Sequence, residues 1–382
     1  MSFRSFIFWP HLVCGVAAGV IILIMSATGV LLTYEKQMVA WADKQRMPVI
    51  ASEAPALGIA DLIRSVHTST GETPSSIAMP ASADAPALVM AGQRRVLVDP
   101  RTGQLLGDSA PRLRAFFRSV TDWHRWLALT GQQRALGKAV TGWANLIFAF
   151  IVLSGMYLWL PKIWRWRQVR SIVWFRGGLR GKARDFNWHN AIGIWSSVPL
   201  FLVVISALPI SFPWASNLVY RLAGEAPPAA APRTAPGGER PARSGPLALD
   251  GLDEAWARAI TQSQGWQLIT VRVPASPDAP FVFTIDRGYG GQPHLRGTLT
   301  VPRDGSQASK WETFEAQSRG RRARSISRFL HTGEVLGLAG QTVAGLVSLG
   351  GVVLVWTGLA LTWRRFRAWR ARGAVERDSI AA

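Results

Sequence analysis

Four histidines in this chain stand where an imidazole can do chemistry. His11, His124, His189 and His331 each lie at the head of a long apolar run or a few turns ahead of one, and only six histidines occur in 382 residues. A neutral imidazole ligates iron, copper or zinc and can carry a proton. Zinc and copper prefer more than two ligands, and no Cys or carboxylate lies beside these histidines at ligand spacing. A proton path needs ionisable groups within the apolar runs, where Glu334, close to an end, is nearly the only one. Two neutral imidazoles facing each other suit the two axial positions of a b-type haem iron, a symmetric extension of single-histidine ligation. Set against these, a histidine at a helix end also serves as a neutral interfacial anchor.

The elements that must position these side chains are membrane helices. The chain is 48% apolar, holds 18 Trp and has a positive mean hydropathy of +0.14, too apolar for an ordinary soluble protein of this length. Spans are predicted over about Leu12–Leu32, Thr141–Leu160, Ala191–Phe212 and Val335–Thr362, with His331 at the mouth of the last. Trp9, Trp159, Trp214 and Trp363 mark span ends, where an amphipathic ring favours the headgroup layer. The first apolar run is too long for a signal peptide, and the small-residue site Ala40-Trp41-Ala42 lies too far beyond it, so it is read as a helix.

Charge sets the expected orientation. Between Pro161 and Asn187 lie Lys162, Arg165, Arg167, Arg170, Arg176, Arg180, Lys182 and Arg184 against one acid, Asp185, which marks that loop as cytoplasmic. The tail after Trp363 adds six arginines on the same side, so both termini are expected inside. The cluster Arg319, Arg321, Arg322 and Arg324 follows a long translocated segment, where charge counts for little. The net charge of +20 therefore points to anionic membrane lipid as partner, and nucleic acid is not expected. Cys14, the lone cysteine, sits within span one and leaves no disulfide framework.

The chain also repeats itself. Phe8, His11, Gly15 and Thr28-Gly29 match Phe186, His189, Gly193 and Ser206-Ala207 at a constant offset. Ser154-Gly155 through Trp159 resembles Thr357-Gly358 through Trp363, each with a histidine about thirty residues upstream. We read two parallel copies of span, outer domain, span. His11 and His189 then pair on the inward face and His124 and His331 on the outward one, each pair straddling a pseudo-two-fold axis. Gly15, Gly19, Gly193, Gly333, Gly337 and Gly340 leave helix backbones bare for a macrocycle, or equally for helix packing. Arg125, Arg328 and the Arg319–Arg324 cluster outside, with Lys182 and Arg184 inside, can pair haem propionates or lipid headgroups. His67 and His294 fall in the outer segments, where surface or packing roles are expected.

Between the spans the pattern predicts helix over Gly58–Ser69 and strands over Ser75–Met79, Ala87–Met90 and Arg94–Asp99. The second segment predicts helix over Leu252–Gln262 and strands over Trp266–Val273, Pro280–Asp286, His294–Val301 and Trp311–Phe314. Each reads as a small α+β domain with a modest core. Pro111–Gln133, with Leu113, Phe116, Phe117, Val120, Trp123, Trp126 and Leu127 at helical spacing, reads as an interfacial helix carrying His124. Glu225–Pro246, dense in Ala, Pro and Arg, reads as a flexible linker.

The expected layout is span one in 1–34, a small domain in 35–110, interfacial helix and span two in 111–165, and a basic cytoplasmic loop in 166–187. Span three follows in 188–214, the linker in 215–246, a second small domain in 247–327, span four in 328–364 and a basic cytoplasmic tail in 365–382. No G-x-G-x-x-G follows a strand, so a nicotinamide or flavin domain is not expected.

Trp123-His124-Arg125-Trp126-Leu127, Ser154-Gly155-Met156-Tyr157-Leu158-Trp159-Leu160-Pro161, Trp188-His189-Asn190-Ala191-Ile192-Gly193, and His331-Thr332-Gly333 through Gly358 to Trp363 together resemble the PepSY-associated transmembrane family over nearly the whole chain. The resemblance implies an α-helical membrane protein with four transmembrane helices in two parallel repeats and two small PepSY-like α+β extracytoplasmic domains. FoxB-type members, similar in architecture and length, imply a multi-pass bacterial inner-membrane ferrisiderophore reductase with two haem b groups on His11, His189, His124 and His331. A ferric siderophore would be the substrate, a quinol or a cytoplasmic reductase the donor, and no catalytic residue is expected beyond the haem ligands. Other readings are a haem-free anchor presenting PepSY domains as binding or peptidase-regulating modules, and a haem or copper transporter.

Overall fold

The computed structural model describes residues 2–47, 55–82, 84–161, 164–229, 247–274, 276–288, 290–303 and 308–381. The chain begins with α1 (Phe3–Leu32), α2 (Glu35–Lys44) and α3 (Ile59–Thr70). The strands β1 (Pro74–Pro80), β2 (Ala87–Ala91), β3 (Arg94–Val98) and β4 (Leu105–Asp108) follow, then α4 (Pro111–Trp126). Next come α5 (Arg134–Trp159), α6 (Trp166–Val173), α7 (Gly181–Ser211), α8 (Pro213–Leu222) and α9 (Leu252–Gln262). The chain closes with β5 (Leu268–Arg272), β6 (Phe281–Asp286), β7 (Arg296–Val301), β8 (Lys310–Glu312), α10 (Arg319–His331) and α11 (Gly337–Ala381). Two compact units result, one of Met1–Thr33, Arg118–Val219 and Ser327–Ala382, the other of Tyr34–Phe117 and Tyr220–Ile326. Of the expected linker, residues 230–246 lie outside the described residues.

In the first unit, four helices among the described residues are long and apolar enough to cross a membrane, within Phe3–Lys44, Gly131–Trp159, Gly181–Ser211 and Glu334–Arg372. The helix α1 packs on α5 and α11, and α7 packs on the same two, so α1 and α7 oppose each other diagonally. Small residues bring the backbones close: a Cβ on Gly345 would come within 2.9 Å of Thr33 Oγ1, and one on Gly351 within 3.0 Å of Ser26 Oγ. Two polar side chains inside the bundle bond across helices. The buried Asn145 Nδ2 donates to the Val204 carbonyl at 3.0 Å, and Gln341 Nε2 to that of Thr33 at 3.0 Å.

Several boundaries differ from expectation. The helix α7 starts at Gly181 and not at the expected residue 188, so His189 lies well inside it, and the basic loop expected over 166–187 contains α6 and the first turns of α7. Polar residues can be helical there because they find partners. Asp185, 2% exposed, accepts from Arg184 at 2.8 Å and Arg364 at 3.1 Å. Asn187 donates to the Ser171 and Trp174 carbonyls at 3.1 Å and accepts the Arg176 N–H at 3.0 Å, tying α6 to α7. The expected tail is helical too, since α11 runs on to Ala381.

His331 is not at the mouth of the last span. It ends α10, and the chain then turns through Gly333 (φ +73°), a 3-10 turn at Glu334–Leu336 and Gly337 (φ +65°) before α11 starts. A Cβ on Gly340 would collide with the Gly333 carbonyl, so this turn needs glycine on the helix it meets. The interfacial helix likewise stops at Trp126, short of the expected Gln133. Leu127 (φ +53°) and Ala128 (φ +57°) break it, and a 3-10 turn at Gly131–Gln133 leads into α5.

The second unit holds one eight-stranded antiparallel sheet in the order β4-β3-β2-β1-β5-β6-β7-β8. Two separate small domains were expected; instead β1 and β5 join the halves, pairing Ile77 with Val271 and Met79 with Ile269. Pairing there removes two exposed strand edges that separate domains would carry. The core is shared as well. Leu62, Ile63 and Val66 of α3 and Leu252, Ala255 and Ala259 of α9 bury against Ile77, Val271 and Phe283 in one continuous cluster. The sequence pattern missed α2 and β4, both short.

Candidate paired-histidine centres

His124, in the last turn of α4, and His331, the last residue of α10, face each other with ring centroids 6.1 Å apart and planes at 44°. Metal–nitrogen bonds of about 2 Å on either side of one ion put two axial imidazole centroids about 6 Å apart. The pair therefore matches the separation of two ligands on a single metal. The His331 Nδ1 lies 2.9 Å from the Val203 carbonyl oxygen, which only accepts, so that nitrogen carries the hydrogen. The His124 Nδ1 lies 2.9 Å from Thr28 Oγ1, whose own hydrogen goes to the Ile24 carbonyl at 2.6 Å, so that oxygen accepts from the ring. On both rings Nε2 is left as the lone pair. Burial drives His124 down to about 4, with His331 and Arg125 adding to the fall and the Met25 carbonyl opposing it. Burial lowers His331 as well, against its bond to Val203. Both rings are thus neutral, as metal ligation requires.

The second pair is built the same way. His11 stands on α1 and His189 on α7. The His11 Nδ1 lies 2.8 Å from Ser154 Oγ on α5. The His189 Nδ1 lies 2.9 Å from Thr357 Oγ1 on α11. Because α1 carries both His11 and Thr28, the helix itself spaces the two centres, about 25 Å apart along its axis at 1.5 Å per residue.

Glycines beside the rings are not those singled out from sequence. A Cβ on Gly155 would meet His11 Cε1 at 3.3 Å, one on Gly358 would meet His189 Cε1 at 3.5 Å, and one on Gly29 would meet His124 Cε1 at 3.7 Å. Gly19 and Gly193 instead make ordinary contact with Leu359 and Leu354 of α11, which is helix packing. Gly15, one turn from His11, has open space beside it that would admit a planar group.

Arg125 and Arg328 stand together at the His124/His331 end. Burial lowers the Arg125 guanidinium first, and the like charges of Arg328 and Arg134 lower it further, with Asp122 partly offsetting. Cations crowded in this way favour an anionic group beside them, such as a propionate. Arg125 also stacks 4.7 Å from the Trp126 ring centre, and Arg328 5.6 Å from that of Phe329. At the other end Arg184 is committed to Asp185. His67 spends its Nδ1 on the Glu72 carbonyl, 3.0 Å away, and His294 lies in a 3-10 turn. Trp143, Trp195 and Trp356 are 58–65% exposed on the bundle's outside, whereas Phe148 packs in both apolar clusters of its interior. Among the described residues no group of three or more His, Cys, Asp or Glu could hold a metal ion.

The model of the PepSY-associated TM region matches residues 8–365. The chain belongs to that family. No curated protein matches it. The PepSY-associated match spans all four paired histidines and their Nδ1 partners, and with four apolar helices it makes this a multi-pass membrane protein. Sequence reasoning missed the roles of Thr28, Ser154, Thr357 and Val203. A signal is there: Thr28-Gly29, Ser154-Gly155 and Thr357-Gly358 recur along the PepSY-associated region, where sequence alone marks them only as repetition.

Proposed function

We propose that this protein is a di-haem inner-membrane reductase of the FoxB type, which moves electrons across the membrane to a ferric siderophore and releases ferrous iron. One observation carries the reading: His124 and His331 face each other at 6.1 Å with both Nδ1 atoms engaged and both Nε2 atoms free. His11 and His189 hold one haem b and His124 and His331 the other, with Arg125 and Arg328 facing propionates. A bound haem supplies one-electron chemistry there. The protein's part is to hold neutral ligands in place, space the two centres along α1 and α7, and keep water from the interior. Hard oxygen-donor siderophores grip ferric iron far more tightly than ferrous, so a single electron releases the metal without proton transfer or covalent catalysis.

The basic excess around α6 supports a cytoplasmic placement of that end, of both termini and of the His11/His189 centre. The donor there is a quinol or a cytoplasmic reductase. The mirrored strand order about the β1–β5 seam supports reading the second unit as two PepSY-like halves of a parallel duplication, facing the siderophore. Pyridine haemochrome assay of the folded full chain is expected to return two b-type haems per polypeptide. Well under one overturns the proposal and leaves a haem-free PepSY anchor.

A further inference from the structure

We infer that Thr28, Ser154 and Thr357 are positioning residues whose hydroxyls fix the tautomer and placement of His124, His11 and His189 and so present Nε2 to the iron. This rests on the proposal that the paired histidines are haem ligands. Each hydroxyl has a single hydrogen, and its own helix takes it. Thr28 donates to the Ile24 carbonyl at 2.6 Å, Ser154 to that of Phe150 at 2.7 Å and Thr357 to that of Val353 at 2.7 Å. With that hydrogen committed, the oxygen shows the imidazole only lone pairs and accepts Nδ1–H. The carbonyl of Met25, Ile151 or Leu354, three residues before each hydroxyl, lies within reach of the same hydrogen at 3.1, 3.1 and 3.2 Å, so either way the hydroxyl donates within its own helix. Every ring's hydrogen is thereby placed on Nδ1, the tautomer that a free histidine side chain disfavours. Of the glycines that follow the hydroxyls, only Gly155 leaves room the ring needs, since a Cβ there would crowd His11 Cε1 at 3.3 Å, whereas one on Gly29 or Gly358 would make ordinary contact.

His331 departs from this scheme. Ser206-Ala207 stands on α7 where Thr28-Gly29 stands on α1, but the Ser206 hydroxyl donates to the Leu202 carbonyl at 2.6 Å, and His331 bonds the Val203 backbone instead. Three of the four rings are therefore tuned by a side chain, and the fourth by backbone alone. Partners of this kind orient a ligating imidazole and raise its basicity.

The first arm of the test needs no haem. The full chain, labelled with 15N-histidine and placed in lipid bilayers, is read by solid-state NMR, with assignments from single His→Ala variants. Protonated Nδ1 and bare Nε2 are expected on His11, His124, His189 and His331; a hydrogen on Nε2 of His11, His124 or His189 overturns the inference. The second arm adds haemin to Thr28→Val, Ser154→Ala and Thr357→Val. Each should weaken haem retention about 10–100-fold at its own centre only, while Thr28→Ser, Ser154→Thr and Thr357→Ser restore it. Equal loss at both centres, or loss in the Ser/Thr exchanges as well, assigns these residues to packing and overturns the inference. Should the wild type take up no haem, the proposed function fails, and the tautomer readout still decides the positioning role by itself.

Discussion

His331 closes on Val203, 128 residues earlier in the chain, with its Nδ1 2.9 Å from that carbonyl oxygen, and the same ring faces His124 at 6.1 Å. A ring tied down on one side and paired on the other makes the histidines a set of two and two. His124→Ala and His331→Ala are each expected to abolish the same component of the reduced-minus-oxidised spectrum. His11→Ala and His189→Ala should both abolish the other. If His331→Ala removed the component that His189→Ala removes, the pairing would be wrong.

Orientation is testable apart from chemistry. A reporter fused after Leu249 is expected outside the cell membrane and one fused after Arg370 inside, because the basic excess around α6 resists translocation. The reverse result would invert the direction of electron flow.

Asp185 is 2% exposed, whereas its partners Arg184 and Arg364 are 46% and 44% exposed at their side chains. Removing the carboxylate frees two partly solvated cations and unties α7 from α11. The cost should fall between that of a surface pair and a buried one, about 1–3 kcal/mol. Thermal unfolding of Asp185→Asn in detergent should show a lowered midpoint, and Arg364→Gln a smaller drop because Arg184 remains.

The β1–β5 seam makes one core of two sequence segments. Val271 is fully buried opposite Ile77, so Val271→Asp places an unpaired carboxylate in that core and should cost more than about 3 kcal/mol. Limited proteolysis is expected to find β1–β4 and β5–β8 losing protection together. Loss confined to β5–β8 would mean that the halves fold independently. Arg272→Asp, on the exposed side of the same strand, should change stability by about 0.5 kcal/mol or less.

Much of this protein was legible in its sequence. Four apolar runs of spanning length, the alternation in β2, β5 and β6, and the bounds of α9 depend on local period and length, which a chain displays directly. The helix ends around His189 and His331 were misjudged because distant partners set them. Asp185 and Asn187 keep the polar start of α7 helical through Arg364 and α6, and Gly333 turns the chain against Gly340.

What the sequence determined by itself is therefore the number of spans, the class of the segments between them, and four histidines placed in related positions. Tertiary structure alone decided that β1 pairs with β5, that the glycines beside the rings are Gly29, Gly155 and Gly358, and that Thr28, Ser154, Thr357 and Val203 hold the histidines. The reason is rotational. A helix apolar on every side carries no stripe to say which face meets which neighbour, so the partner of a ring 96 to 168 residues away appears only when the helices pack.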